Sequence, residues 1–182
     1  MDETLIIEGC KQGQAKAQKL LFDNFADAML VTCTRYVRNP ADAEELMLSG
    51  FYKFFTQLDK FRYKGTGSIA PWLRKIMINE CLMFLRKRGQ LILIDERSAE
   101  QLHTDETIYD KIDSDILFNS ITQLSAGYRT IFNMYVIEGM THREIAKALN
   151  ISIGTSKSQL NKARTALQQI IKRNGGYNER FR

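Results

Sequence analysis

The chain has little of what catalytic, metal or disulfide sites are made from. Its three cysteines, Cys10, Cys33 and Cys81, stand far apart and none forms a CxxC spacing. Its two histidines, His103 and His142, have no metal-ligand spacing to them. That argues against a zinc or redox centre and reads as buried thiols of a reducing cytosol. There is no nucleophile–His–acid set and no phosphate-cradling glycine loop, so an enzyme, a cofactor and a small-molecule substrate are not expected. No apolar run approaches the ~20 residues of a membrane span, and no N-terminal signal is visible, so a cytoplasmic location is expected. Only two prolines are present, Pro40 and Pro71, both where a helix can begin. No convincing strand pair is found, so the expected class is all-α.

What the chain does have is charge, unevenly placed. Of its 182 residues, 26 are Lys or Arg and 21 Asp or Glu, a formal net charge of +5. That is a mild prior for an anionic partner. Arg62, Lys64, Arg74, Lys75, Arg86, Lys87 and Arg88 form one basic region against Glu80 alone. Arg143, Lys147, Lys157, Lys162, Arg164, Lys172 and Arg173 form a second, against Glu144. Between them runs an acidic stretch from Asp95 to Asp115. Solvated faces also collect such clusters, so the pattern needs a second signal.

Helical periodicity supplies the frame. A short helix is expected over 4–16, turning at Gly13. A long helix follows from Lys16 to Val37, with Phe22, Phe25, Met29, Cys33, Tyr36 and Val37 on one face. Asn39-Pro40-Ala41-Asp42 marks the next start, and Leu48, Phe51, Phe55 and Leu58 line its apolar side, widened by Met47 and Phe54. Lys64-Gly65-Thr66-Gly67-Ser68 is a break, with Ser68 a possible cap for a helix over 69–88 that buries Leu73, Ile76, Met77, Cys81 and Phe84. Residues 89–113 form an acidic connector whose one apolar patch, Leu91-Ile92-Leu93-Ile94, is expected to pack on a neighbour. Fully extended, these 25 residues reach ~80 Å at ~3.3 Å each, a little over two turns of DNA. Beyond them, Ile116, Leu117, Ile121 and Leu124 mark one helix. Ser125 is expected to cap another that carries Ile131, Phe132, Tyr135 and Val136.

The stretch HREIAKALNISIGTSKSQLNKAR, residues 142–164, is the most telling. Thr141 and Glu144 fit a capping box opening a helix that turns Ile145, Ala148 and Leu149 inward, with Ala146 small enough for a close crossing. After a break at 150–154, a helix is expected from about Thr155 to Ile171, burying Leu160, Ala163, Leu167 and Ile170. Its other sides carry Lys157, Ser158, Asn161, Lys162 and Arg164, and its first turn, Thr155 to Lys157, offers backbone N–H groups to a phosphate. A helix, a short turn and a polar-faced second helix make a helix-turn-helix, whose second helix lies in the DNA major groove. His142, Arg143 and Lys147 are then candidate backbone contacts.

IEGMTHREIAKALNISIGTSKSQLNKARTAL closely resembles region 4, the C-terminal DNA-binding region of extracytoplasmic-function sigma factors. LSAGYRTIFNMYV resembles that region's earlier helices. GCKQGQAKAQKLLFDNF resembles the start of region 2, RYVRNPADAEELMLSGFYKFFTQLDKF its polymerase-binding helices, and GTGSIAPWLRKIMINECLMFLRKR the part that reads and opens the −10 element. The match covers roughly 9–88 and 116–172, in family order, and its wording resembles the Bacteroidetes type.

The resemblance implies two small helical domains joined by a linker: region 2 over 1–88, the linker over 89–113, region 4 over 114–174, and a tail over 175–182. It implies three contacts. Asp42, Glu44, Glu45, Leu48, Ser49 and Phe51 would face a basic coiled coil of the β′ subunit of core RNA polymerase, although Phe51 and Phe55 also read as plain core. Here the chain departs from the family, with Leu48-Ser49 where many relatives carry Gln followed by Asp or Glu. For the −10 element, Asn79 would lie beside a pocket for an unstacked base. Arg74, Lys75, Arg86, Lys87 and Arg88 would hold phosphates. Trp72 reads as packing the helix pair ahead of stacking on a base, and Phe61 and Tyr63 stay open between core and strand contact. For the −35 element, Lys157, Ser158, Asn161 and Lys162 match the reading positions, beside Thr155, Arg164, His142, Arg143 and Lys147. The implied partners are core RNA polymerase, promoter DNA and, in many relatives, a membrane-bound anti-sigma factor. A DNA-binding regulator that works without polymerase, and a degenerate relative that binds a partner only, remain alternatives.

Overall fold

The computed structural model describes residues 3–91 and 114–174. Most of the expected connector, the packing expected of Ile92-Leu93-Ile94, and the tail lie outside the described residues. The chain divides into two compact units, Met1–Lys87 and Arg88–Arg182. Among the described residues every regular element is helical.

The first unit holds α1 (Glu3–Lys11), α2 (Ala15–Val37), α3 (Pro40–Thr56), a 3₁₀ turn (Leu58–Lys60) and α4 (Ile69–Lys87). α2, α3 and α4 pack against one another, and α1 lies on α2. The shared core is Leu21, Met29, Cys33, Tyr36, Phe51, Phe54, Leu73, Met77, Cys81 and Leu85. The expected stripes are shifted by a residue in places. Leu21 is fully buried while Phe22 and Phe25 are half-buried, and Ile78, Leu82 and Leu85 take inner positions expected of Ile76 and Phe84. Asn39 caps α3 as expected, its Oδ1 accepting the Asp42 N–H at 3.1 Å, with Pro40 in the first turn. The Ser68 hydroxyl before α4 accepts the Lys64 N–H at 3.4 Å, folding the loop on itself. Gly65 and Gly67 hold φ of 108° and 86° there, which a side chain would strain. All three thiols are buried and unbridged. Burial pushes Cys10 up to about 11, and a hydrogen bond with Cys33 together with burial raises Cys81, so neither supplies thiolate near neutral pH.

The second unit holds α5 (Ser114–Gln123), α6 (Ala126–Phe132), α7 (His142–Leu149) and α8 (Ile153–Arg173). α8 is the hub, packed on α5, α6 and α7 around Ile121, Ile131, Phe132, Ile145, Leu160, Ala163 and Leu167. Four expectations are corrected. Ser125 gives α6 no side-chain cap; its carbonyl accepts the Arg129 N–H instead. The buried Arg129 guanidinium donates to Leu124 O at 2.7 Å and to Thr122 O at 3.3 Å, closing the end of α5. α6 runs on into a π-helical turn, Asn133–Ile137, which buries Asn133 and Met134, leaves Tyr135 half-buried and exposes Val136. Finally, α8 starts at Ile153, not Thr155, and buries Ile171, with Ile170 half-buried.

Candidate nucleic-acid interface

The helix-turn-helix is built by local chemistry at both joints. Thr141 and Glu144 form the expected capping box, with Glu144 N–H to Thr141 Oγ1 at 3.3 Å and Thr141 N–H to Glu144 Oε2 at 2.8 Å. The Thr141 N–H and the Thr141 hydroxyl both donate to the Glu144 carboxylate and hold it below the usual carboxyl range. Asn150 ends α7 in the left-handed conformation, φ 57°, a shape Asn tolerates well, and the Ile151 N–H returns to Ala146 O. Ser152 then caps α8, its Oγ accepting the Thr155 N–H at 2.9 Å.

This geometry sorts the expected contacts. Lys157 is exposed one turn into α8, with Gly154 exposed before it and Ser158, Asn161, Lys162 and Arg164 half-buried after it. Arg143 and Lys147 are exposed on α7. Thr155 is corrected: it is buried, its N–H is taken by Ser152, and its hydroxyl lies 2.8 Å from Ser152 Oγ. The N–H groups ahead of that bond belong to Ile153 and Gly154, so the anion-facing turn starts two residues earlier than expected. His142 also faces inward. Its ring stacks on Tyr135 at 4.5 Å and its Nδ1 lies 3.0 Å from the buried Ser156 hydroxyl. Burial, with Lys157 and Arg164 nearby, lowers its pKa, so it is neutral near pH 7 and brings no cation to a phosphate. The Arg164 guanidinium sits 5.8 Å from the Tyr135 ring centre, adding to the same stack. Sequence reasoning missed Tyr135 and Ser156 as the groups that join α7 to α8.

In the first unit, the loop before α4 and the start of α4 enclose an open cleft of about 400 Å³. It is lined by Lys60, Phe61, Arg62, Lys64, Ser68, Pro71, Trp72 and Lys75. Trp72 is half-buried and meets the Phe54 ring at 5.0 Å and the Phe61 ring at 4.8 Å, so it packs and still shows a face. Phe61 is buried and Tyr63 is half-buried at 6.5 Å from it. Aromatic walls with four surrounding cations suit a nucleobase and its phosphates. Lys60, Arg62, Lys64, Ser68 and Pro71 were not among the expected −10 contacts, although Arg62 and Lys64 stood in the basic region; the signal was the FRYK run beside the glycine break. Asn79 is exposed and Arg74 half-buried on α4, and Arg86, Lys87 and Arg88 are exposed at its end.

On α3, Glu44, Glu45 and Leu48 are exposed and Asp42 is half-buried at the first turn. Phe51 lies in the core, as its plain reading has it and not on the polymerase-facing surface the resemblance implies, with its ring tilted against Phe22 at 4.8 Å. Ser49 is half-buried and turned to α4, where its hydroxyl meets Glu80.

Among the described residues no helix is long and apolar enough to cross a membrane. Two family models match the chain in order: sigma-70 region 2 over residues 21–90 and sigma-70 region 4 over residues 114–167. The ECF RNA polymerase sigma-E factor of Haemophilus influenzae is 24% identical, over 94% of this chain and 96% of that one. The RNA polymerase sigma-H factor of Pseudomonas aeruginosa is also 24% identical, over 91% and 92%. Among solved structures, the sigma factor RpoE from Bartonella quintana, in complex with the anti-sigma factor NepR, shares the fold. It superposes with a TM-score of 0.53 at 23% identity, over 85% of this chain and 96% of that one. With both regions matched in order, and relatives covered nearly end to end, the chain belongs to the extracytoplasmic-function group of the sigma-70 family of transcription initiation factors.

Proposed function

We propose that this protein binds core RNA polymerase and directs it to promoters, opening the −10 element with the first unit and reading the −35 element with the second. The observation that carries the reading is that each unit has its own basic surface, and the two are of different kinds. The first offers an aromatic cleft ringed by Lys60, Arg62, Lys64 and Lys75, suited to an unstacked base. The second offers a capped helix whose exposed start carries Lys157, suited to a major groove. A regulator acting on duplex DNA alone has no use for the cleft.

In this reading residues 1–88 serve as region 2, 89–113 as the linker and 114–174 as region 4. Asp42, Glu44, Glu45 and Leu48 face the β′ coiled coil. Trp72, Lys75 and Asn79 border the captured base, and Arg74, Arg86, Lys87 and Arg88 hold the strand. Lys157, Ser158, Asn161 and Lys162 read the −35 element while Arg143 and Lys147 clamp its backbone. Melting is driven by binding energy, not by turnover of a nucleotide. The protein works in the cytoplasm, and an anti-sigma factor is its natural regulator.

The test is binding to core RNA polymerase from the source bacterium in competition with the housekeeping sigma factor, followed by promoter-dependent transcription. Stable association and start-site-specific transcripts are expected. Specific promoter binding by the protein alone, with no association with polymerase, would favour the polymerase-independent regulator.

A further inference from the structure

Ser49 and Lys53 lie one turn apart on α3, and both reach a single carboxylate on α4. Ser49 Oγ donates to Glu80 Oε2 at 3.3 Å, and Lys53 Nζ donates to Glu80 Oε1 at 2.6 Å. Glu80 is only 7% exposed, so its charge is held inside the unit. One turn earlier on α4, the Met77 thioether occupies the space a side chain at Gly50 would need. The two helices are therefore fastened twice, by close approach at Gly50–Met77 and by charge at Glu80. A buried carboxylate that loses its partner is costly, so the bridge resists rotation of α3.

That rotation decides what α3 shows to solvent. Leu48 and Tyr52 each precede an anchor by one position, about 100° around the helix. They are 49% and 71% exposed. Ala41, Glu45, Leu48 and Tyr52 follow at steps of four, three and four, so they form one exposed stripe. Its first half is acidic, with Glu44 beside Glu45, and its second half is apolar. Acids that steer and a tyrosine that anchors are the parts of a specific interface with a basic partner.

We propose that Glu80 is a positioning residue for the polymerase contact: it fixes α3 so that Leu48 and Tyr52 present an apolar grip beside Glu44 and Glu45. The inference rests on the polymerase reading of α3 and names the missing anchor, Tyr52. The partner surface is a basic helix pair of core polymerase with an apolar groove between its charges. The bridge also accounts for serine at position 49. An acid there would set a second carboxylate against Glu80, and two like charges in one half-buried site repel.

The experiment titrates the labelled full-length protein with core RNA polymerase and follows folding of each variant by circular dichroism. Wild-type protein must bind; if it does not, both the proposed function and this inference fall. If it binds, Tyr52→Ala is expected to weaken binding about tenfold with unchanged melting. Glu80→Gln is expected to weaken it similarly, and Y52A/E80Q to be no weaker than the weaker single variant, because Glu80 acts through the ridge. Ser49→Asp is expected to weaken binding, and S49D/E80Q to restore it towards wild type. Additive losses, full affinity in Tyr52→Ala, or tighter binding by Ser49→Asp would overturn the positioning role and leave the proposed function standing. Should Glu80→Gln fail to fold, the Tyr52→Ala and Ser49→Asp arms decide alone.

Discussion

Replacing Lys157 by Ala removes the exposed cation nearest the start of α8. Its backbone is set by the Ser152 cap, so the helix keeps its place when the side chain is cut. Two outcomes differ in size and kind. If Lys157 meets a phosphate, the log–log salt slope becomes shallower by about 0.9, and the contact is worth roughly 3.5-fold more affinity at 50 than at 200 mM salt. The loss is then blind to sequence. If Lys157 reaches a base edge, the loss is about 1–3 kcal/mol, or roughly 5- to 150-fold, and falls on one base pair. The assay is binding of the polymerase-bound protein to promoter fragments bearing single −35 changes, at four salt concentrations. The neutral, inward His142 makes Lys157 the more important charge at this joint, so the same assay on His142→Gln should change the salt slope by less than Lys157→Ala does. Equal affinity and equal slope for Lys157→Ala would refute the groove-facing assignment of α8.

Three further outcomes follow from the packing. Ser152→Ala removes the α8 cap and should cost about 1 kcal/mol, lowering the melting temperature of the second unit by roughly 4–8 °C. The folded-state pKa of His142 lies below its ordinary 6.5, so the stability it allows is present above 6.5 and lost as pH falls through the folded value. Melting of the second unit between pH 7.5 and 5.5 should therefore drop in wild type and drop less in His142→Gln. Gly50→Ala sets a methyl into the Met77 thioether, an overpacking cost of about 1–3 kcal/mol against about 1 kcal/mol gained in helix propensity. Because Met77 is fully buried, net destabilisation of the first unit by urea titration is expected; a stabilised variant would show that Met77 yields.

The helices were legible because their signals are local. Asn39-Pro40 opens α3, Thr141 with Glu144 opens α7, and the apolar spacing of Leu160, Ala163 and Leu167 orients α8, all within a few residues of where they act. The π-helical turn was not legible. It adds no distinctive residue, only an extra one per turn, and so it shifted Tyr135 off the face that a regular period assigns to it. The start of α8 was misplaced for a related reason. Thr155 and Ser152 are both good caps, and only the bond from Thr155 N–H to Ser152 Oγ decides between them. The cleft before α4 was half legible: its aromatics and cations stood out, while the loop beside it bends at Gly65 and Gly67, whose positive φ only the fold reveals.

Three of the expected site residues that turn inward share a feature: His142, Thr155 and Ser49 are each polar and lie on a helix expected to meet a partner. Each instead satisfies a polar group of its own unit: His142 with Ser156, Thr155 with Ser152, Ser49 with Glu80. A periodicity argument counts a polar residue as outward, yet two helices crossing closely must also bury polar groups, and those need partners. Such pairs sit where two elements meet, so they set the angle of the surface beside them. Ser156 and His142 join the two helices of the helix-turn-helix, and Glu80 joins α3 to α4, the helix that borders the cleft. Substituting them should therefore alter recognition through geometry. The difference is measurable: a contact residue changes affinity in proportion to the one group it touches, whereas a joint residue changes the worth of every neighbouring contact at once. A His142→Gln protein should thus lose discrimination at several −35 positions together, with no single base pair carrying the effect. Loss confined to one base pair would make His142 a direct reader, neither a joint between the two helices nor the backbone contact expected from the sequence.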